Sequence, residues 1–255
     1  MQVFDAALLA LGGLAAGAIN TLAGGGSLLT VPLLGITGLP LPVANGTNRV
    51  GVLLGSATAT WRLAAEGAPG LREAAPLLVP TALGALVGAR LVVELPAEWF
   101  ERIFGVVMLV LLVPTLRSSQ PPPASAAAAR AAPPPRAPLS PAARFAAFAA
   151  IGVYGGAFQA GVGILLITVL SLSGVDLVRS TQIKTALNTC FTLLTLPVFY
   201  LAGQIAWAPA LVLGAGFAAG AALGARLAVR GGARVIRPVL AVAVVALAGR
   251  MLGLY

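Results

Sequence analysis

Ala23-Gly24-Gly25-Gly26-Ser27-Leu28-Leu29 returns 137 positions later (Gly24 to Gly161) as Ala160-Gly161-Val162-Gly163-Ile164-Leu165-Leu166. A second block, Gly84-Ala85-Leu86-Val87-Gly88-Ala89-Arg90-Leu91, returns at an offset of 136 as Gly220-Ala221-Ala222-Leu223-Gly224-Ala225-Arg226-Leu227. Two separate matches in nearly one register describe a duplicated chain. The glycine and arginine positions carry the match, since alanine alone would pair by chance in so alanine-rich a sequence.

What surrounds these blocks is apolar. Of 255 residues, 59% are hydrophobic and 9% charged, and the mean hydropathy is +0.98. Soluble domains carry roughly a quarter charged residues, so this chain has too little polar surface to cover a globule in water. Hydrophobic segments are expected at 4–23, 27–39, 43–63, 74–95 and 99–116, then at 142–160, 163–175, 181–201, 207–229 and 234–254. Most are near the roughly 20 residues that span a bilayer. The 27–39 and 163–175 pieces are shorter, and hydropathy alone does not decide whether they cross or turn back. The fold class expected is an all-α integral membrane protein. It has two homologous repeats of four to five helical segments, read as inverted.

The repeats are 1–116 and 142–255. Between them 117–141 reads RSSQPPPASAAAARAAPPPRAPLSP, a proline-rich linker that resists helix. Arg117, Arg130, Arg136 and Arg144 mark it as a cytoplasmic loop. If each half crosses an odd number of times, Arg62, Arg72, Arg179, Arg230, Arg234 and Arg237 join the linker on that side. The N-terminus, the Glu94-Glu98-Glu101 stretch and the uncharged 202–208 loop then fall opposite. An even count separates the linker from the 230–237 cluster, so the positive-inside rule favours inverted halves. The same rule accounts for the net charge of +9 without nucleic acid, for which no aromatic-studded basic patch exists.

Several chemistries are excluded. There is no histidine, which removes imidazole ligands, triads and proton relays. Cys190 is the one cysteine, so neither an internal disulfide nor a cysteine-rich metal site forms. Asp5, Glu66, Glu73, Glu94, Glu98, Glu101 and Asp176 all lie in or near expected loops. No Walker A motif and no nucleophile–base pair occurs. The expectation is no enzyme, no catalytic residue, no metal and no cofactor. The N-terminus has no basic region of the signal-peptide kind, so the first segment is expected to stay.

Two features remain for binding. Gly24, Gly25, Gly26 and Ser27 in the first half, with Gly161 and Gly163 in the second, let the backbone leave helix geometry and free N–H groups at the following helix start. Such N–H groups at the positive end of a helix dipole attract anions. Close helix packing is the competing reading of the same glycines.

The second feature is a pair of polar runs, each ending in a cation. Asn45-Gly46-Thr47-Asn48-Arg49 places Arg49 25 residues after Gly24, and Ser180-Thr181-Gln182-Ile183-Lys184 places Lys184 23 after Gly161. A charge at mid-bilayer costs roughly 2.5–3.5 kcal/mol on insertion scales. Neither cation has an acid in its own segment, which suits a small anionic substrate; snorkelling to the interface is the alternative. Substrate contacts are expected at Asn45, Thr47, Asn48, Arg49, Gln182 and Lys184. Asn20, Thr21, Thr30, Gln159, Thr185, Asn188 and Thr189 fall in the same zones, where helix–helix hydrogen bonding explains them equally well. Trp61, Trp99 and Trp207 fit an interfacial aromatic belt, with Arg90 and Arg226 as interface anchors.

GAINTLAGGGSLLTVPLL (17–34), ANGTNRVGVLL (44–54), GGAFQAGVGILLITVL (155–170), STQIKTALN (180–188) and the two GA..GARL blocks together resemble the sulfite exporter TauE/SafE family. The resemblance runs over essentially the whole chain apart from the linker. It implies a multi-pass permease of the bacterial inner membrane, moving sulfite, thiosulfate, sulfoacetate-like organosulfonates or related anions. Lipid and a small anion are the partners implied, and association of like copies is compatible with it. A non-transporting membrane subunit that anchors a partner complex is the competing class.

Overall fold

The computed structural model describes residues 2–117 and 140–229. The segment expected at 234–254 and the linker, apart from its ends, lie outside the described residues. Nine helices and no strand occur among them. These are α1 (Val3–Ala23), α2 (Gly26–Ile36), α3 (Leu41–Ala65), α4 (Leu71–Val93), α5 (Ala97–Arg117), α6 (Pro141–Phe158), α7 (Val162–Leu172), α8 (Leu177–Leu201) and α9 (Trp207–Val229). Three of them, α1, α4 and α9, are long and apolar enough to cross a membrane. The 25-residue helices α3 and α8 have the length as well, but carry the polar runs.

Local signals set the ends. Ser140 caps α6 by accepting from the Ala143 N–H at 3.2 Å, and Asp176 caps α8 by accepting from Arg179 N–H at 3.0 Å. Gly24, at φ 82°, closes α1 in the left-handed conformation, its N–H donating to the carbonyls of Asn20 and Ile19. The equivalent closure of α6 falls to Gln159 at φ 59°, the one non-glycine residue with positive φ among those described.

The two short segments are helices of eleven residues each, about 16 Å at helical rise against a hydrocarbon core of about 30 Å. Helix α2 folds back along α1: Gly26 sits on Ala16 and Asn20, and Gly12 lies under Leu33. The first pair is therefore a helical hairpin with its tip at the glycine run.

The halves exchange partners. Helix α1 packs on α9, the fourth helix of the other half, and α6 packs on α4 in the same manner. Gly13 and Gly17 meet the backbone of Leu213 and Phe217, while Gly216, Gly220 and Gly224 meet that of Ala10, Leu14 and Ala18. In the mirrored pair, Gly84 and Gly88 meet Ala149 and Val153, and Gly152 and Gly156 meet Thr81 and Ala85. Residue numbers rise together across both contacts, so both pairs run parallel. The repeated GALVGARL and GAALGARL blocks are thus packing seams in which glycines at spacing four bring backbones together. Helix α3 also packs on α9, and α8 on α4, while α3 and α8 cross each other. A Cβ at Gly220 would land on the Leu14 carbonyl, whereas one at Gly105 of α5 meets nothing within 4 Å. Gly220→Val is therefore expected to cost about 3 kcal/mol. Gly105→Ala should be neutral or gain up to about 1 kcal/mol. Unfolding of the detergent-purified variants measures both.

The rest of the architecture closes the bundle. Phe100 and Phe104 of α5 are buried and stack at 5.5 Å, with Phe158 of α6 against both. Trp61, Trp99 and Trp207 are exposed near helix ends, two of them under Arg62 and Arg102. Of the seven carboxylates none is buried, and Glu73 pairs with Arg179 at 3.1 Å on the surface.

Candidate functional site

The polar runs of α3 and α8 are buried throughout: Asn45, Thr47, Asn48, Arg49, Ser180, Gln182 and Lys184 are all fully enclosed. The two cations have partners, and these are backbone carbonyls at the broken ends of the opposite half's first helix. Arg49 Nη2 donates to the carbonyls of Gly156, at 2.5 Å, and Ala157, at 3.1 Å. Its Nη1 donates to Gln159 Oε1 at 3.0 Å and Thr195 Oγ1 at 3.3 Å, and the guanidinium lies 3.9 Å from the centre of the Phe199 ring. Lys184 Nζ donates to the carbonyls of Asn20, at 2.7 Å, and Thr21, at 2.5 Å. The last carbonyls of a helix lack their full set of intrahelical partners and carry its negative dipole end, so a cation there is favourable on both counts. This holds even at Asn20, where the cap N–H of Gly24 shares the oxygen.

The symmetry of this arrangement is closer than charge alone suggests. Helices α2, α3 and α4 are followed by α7, α8 and α9 at a constant spacing of 136 (Leu41 to Leu177, for example). That spacing maps Asn20 and Thr21 onto Gly156 and Ala157, so the two cations grip equivalent carbonyls. It maps Lys184 onto Asn48, however, and not onto Arg49. The cations reach matching targets from adjacent register positions. The helix bounds likewise match Gly161 to Gly25, one residue from the pairing read off the glycine runs.

Asn48 serves the first hairpin: its Nδ2 donates to Ser27 Oγ at 3.0 Å, and its Oδ1 accepts from Thr30 at 2.5 Å. Asn45 Nδ2 adds a bond of 2.8 Å to the Ala157 carbonyl beside Arg49. Gly24 and Gly163 touch, a Cβ on Gly24 falling 2.5 Å from the Gly163 Cα and 2.6 Å from the Ile164 nitrogen. The two breaks therefore meet, with Gly25 and Gly161 as the N-caps of α2 and α7. Two positive dipole ends converge at that contact. Thr47 and Gln182 turn elsewhere: Thr47 Oγ1 accepts from the Ala206 N–H ahead of α9, and Gln182 Nε2 donates to the Thr60 carbonyl.

Three residues escaped the sequence reading. Thr195 touches Arg49, Thr192 accepts from Gln159 Nε2 at 3.1 Å, and Ser56 is buried on α3. A signal was present: Ser56 is seven residues from Arg49, and helical positions so spaced share a face.

An all-helical membrane protein with two helix breaks, each stapled by a buried cation from the other half, defines the class. The chain belongs to the sulfite exporter TauE/SafE family, a family of membrane transporters, whose model matches residues 9–251. It is 29% identical over 238 residues to "Probable membrane transporter protein ORF9" of Sinorhizobium sp, covering 93% of this chain and 88% of that one. A "Probable membrane transporter protein" of Haemophilus influenzae is 27% identical over 92% of this chain and 90% of its own. "Probable membrane transporter protein YfcA" of Escherichia coli is 27% identical over 93% and 86%. No solved structure matches the chain.

Proposed function

We propose that the protein is a secondary transporter of a small oxyanion, sulfur-containing as the family description suggests, working by alternating access between two inverted repeats. One observation carries the reading. The first turns of α2 and α7 converge at the Gly24–Gly163 contact, two cations are buried beside them, and no carboxylate is buried to cancel the charge. Lysine and arginine on the C-terminal ends of α1 and α6 offset the negative dipole poles, leaving the positive poles of α2 and α7 to act on an incoming anion.

The inverted arrangement is supported by α3 and α8, whose contacts run in opposite senses: Thr60 meets Gln182 and Thr189, and Arg49 meets Thr195. With 1–116 and 142–255 as the repeats, the 117–141 linker lies on the cytoplasmic side of the inner membrane. The substrate contacts are the N–H groups of Gly25, Gly26, Ser27, Gly161 and Gly163, with Gly24, whose own N–H is held by the Asn20 and Ile19 carbonyls, shaping the tip. Arg49 and Lys184 supply fixed positive charge, and Asn45, Thr47, Asn48 and Gln182 shape the surroundings. Rocking of one repeat against the other shifts the shared tip contact between two sides. Export of an anion from a negative interior is favoured by about 2.3 kcal/mol per charge per 100 mV.

The test is flux in proteoliposomes of the purified full chain with sulfite, thiosulfate, sulfate and methanesulfonate. Saturable flux of at least one, accelerated when the potential drives anions the same way, is the expected result. Fluxes equal to those of protein-free vesicles for all four overturn the reading.

A further inference from the structure

The crossing of α3 and α8 holds two buried polar side chains that no described element of the fold uses. Asn188 is 1% exposed, and neither its Oδ1 nor its Nδ2 has a hydrogen-bond partner among the described residues; Ser56, also 1% exposed, has none for its Oγ. Both stand near the middle of their 25-residue helices. The two helices are held together at Thr60 with Gln182 and Thr189, and again at Arg49 with Thr195. Ser56 lies between the α3 members of those contacts, four residues from Thr60 and seven from Arg49. Asn188 lies between Gln182 and Thr195 among the α8 members, next to Thr189 and seven residues from Thr195. Helical spacing of four and seven keeps a residue on one face, so both side chains lie on the faces that α3 and α8 turn to each other.

An unmade hydrogen bond inside a membrane protein is costly because no water is at hand to replace it. Neighbouring threonines avoid the cost by donating back to carbonyls one turn earlier, as Thr189 does to Thr185 and Thr60 to Ser56. Asn188 has no such outlet, and a fold selected for stability alone would place leucine there. Buried polar groups left open in this way are completed by a water, an ion or a ligand.

We propose that Asn188 and Ser56 bind the transported anion at the α3–α8 crossing, and that they select an oxyanion with one protonated oxygen. The inference rests on the transport reading above and adds to it the chemical form of the substrate. Asn188 presents a donor edge and an acceptor edge, and Ser56 can do either. An anion whose oxygens are all bare satisfies Nδ2 but faces Oδ1 with lone pairs against lone pairs. A hydrogen oxyanion, of which hydrogen sulfite is the simplest sulfur example, fills both edges: bare oxygens take the amide and hydroxyl protons, and its O–H donates to Oδ1. Neutral groups also suit a carrier, since they hold the anion without trapping it as a free cation would.

The experiment measures sulfite flux into proteoliposomes for the wild-type chain, Asn188→Leu and Ser56→Ala, across a pH range, with methanesulfonate as a competitor that carries no O–H. Wild-type flux is expected to follow the hydrogen sulfite fraction, and methanesulfonate to compete weakly. Asn188→Leu should lower flux roughly tenfold or more, the equivalent of losing one well-made hydrogen bond to a charged group. It should leave the unfolding temperature in detergent unchanged or raised, because leucine fills the site without an open amide. Ser56→Ala, a smaller change that keeps the packing, should lower flux about threefold and tests the site even if Asn188→Leu folds poorly. A structural role for the amide predicts the reverse, a lowered unfolding temperature with flux intact, and that result overturns the proposal. Equal competition by methanesulfonate overturns it too. Absence of wild-type flux for every anion removes the transport reading itself, a failure distinct from that of the two variants.

Discussion

Arg49→Ala is expected to abolish anion flux and to cost about 2–5 kcal/mol of stability, since each buried acceptor left without a donor costs roughly 1–3 kcal/mol. The guanidinium is the common partner of Gly156, Ala157, Gln159 and Thr195. Its loss leaves the Gly156 carbonyl open and the Ala157 carbonyl to Asn45 alone, in a buried, water-poor place. Arg49→Lys keeps the charge but offers one ammonium where a planar fork spans acceptors on α6, on its C-cap Gln159 and on α8, so it should restore stability in part and flux poorly. Thermal unfolding in detergent, read beside flux in proteoliposomes, separates the two effects. A variant that unfolds like the wild type and loses only flux would show that Arg49 serves the anion alone and is not the staple of α6.

The second large effect belongs to the contact between the two breaks. Gly24→Ala combines a left-handed backbone, φ 82°, with a Cβ placed 2.5 Å from the Gly163 Cα. The conformational part costs roughly 1–2 kcal/mol and the overpacking roughly 1–3 kcal/mol. Gly38→Ala isolates the first part, because Gly38 has φ 90° and its Cβ would meet nothing within 4 Å. Unfolding of both variants should therefore differ by the packing term, with Gly24→Ala the less stable and inactive in flux. Equal losses at the two positions would mean that the breaks separate freely and that their contact holds no part of the centre together.

Hydropathy is a local property, and what depends on local properties was legible. The expected segment 207–229 and the helix Trp207–Val229 coincide, and 43–63 lengthens only to Leu41–Ala65. The buried polar runs were legible because a cation inside an apolar segment stands out. Partner exchange was not, since the match of GALVGARL to GAALGARL reports likeness between halves and not contact across them. Nor were the partners of Arg49 and Lys184: a carbonyl belongs to every residue, and only a helix end makes it available. Charge also misled the register. Lys184 looked like the counterpart of Arg49, yet helix positions assign it to Asn48, because a long side chain can reach the same target from the next residue along. Helix–helix bonding and substrate contact explain Asn188 equally well in the sequence, and only its lack of a partner among the described residues sets it apart from Asn48.

The exchange of partners between halves bears on how the chain is made. Gly17 finds the backbone of Phe217 only after about 200 further residues have left the ribosome, roughly 10–40 s at ordinary synthesis rates. Until then α1 waits in lipid with a seam of glycine and alanine facing no mate, and α4 waits similarly for α6. Such a seam tolerates the delay because it exposes no charge. Neither half can finish alone, so assembly is a single late event in which each duplicate completes the other.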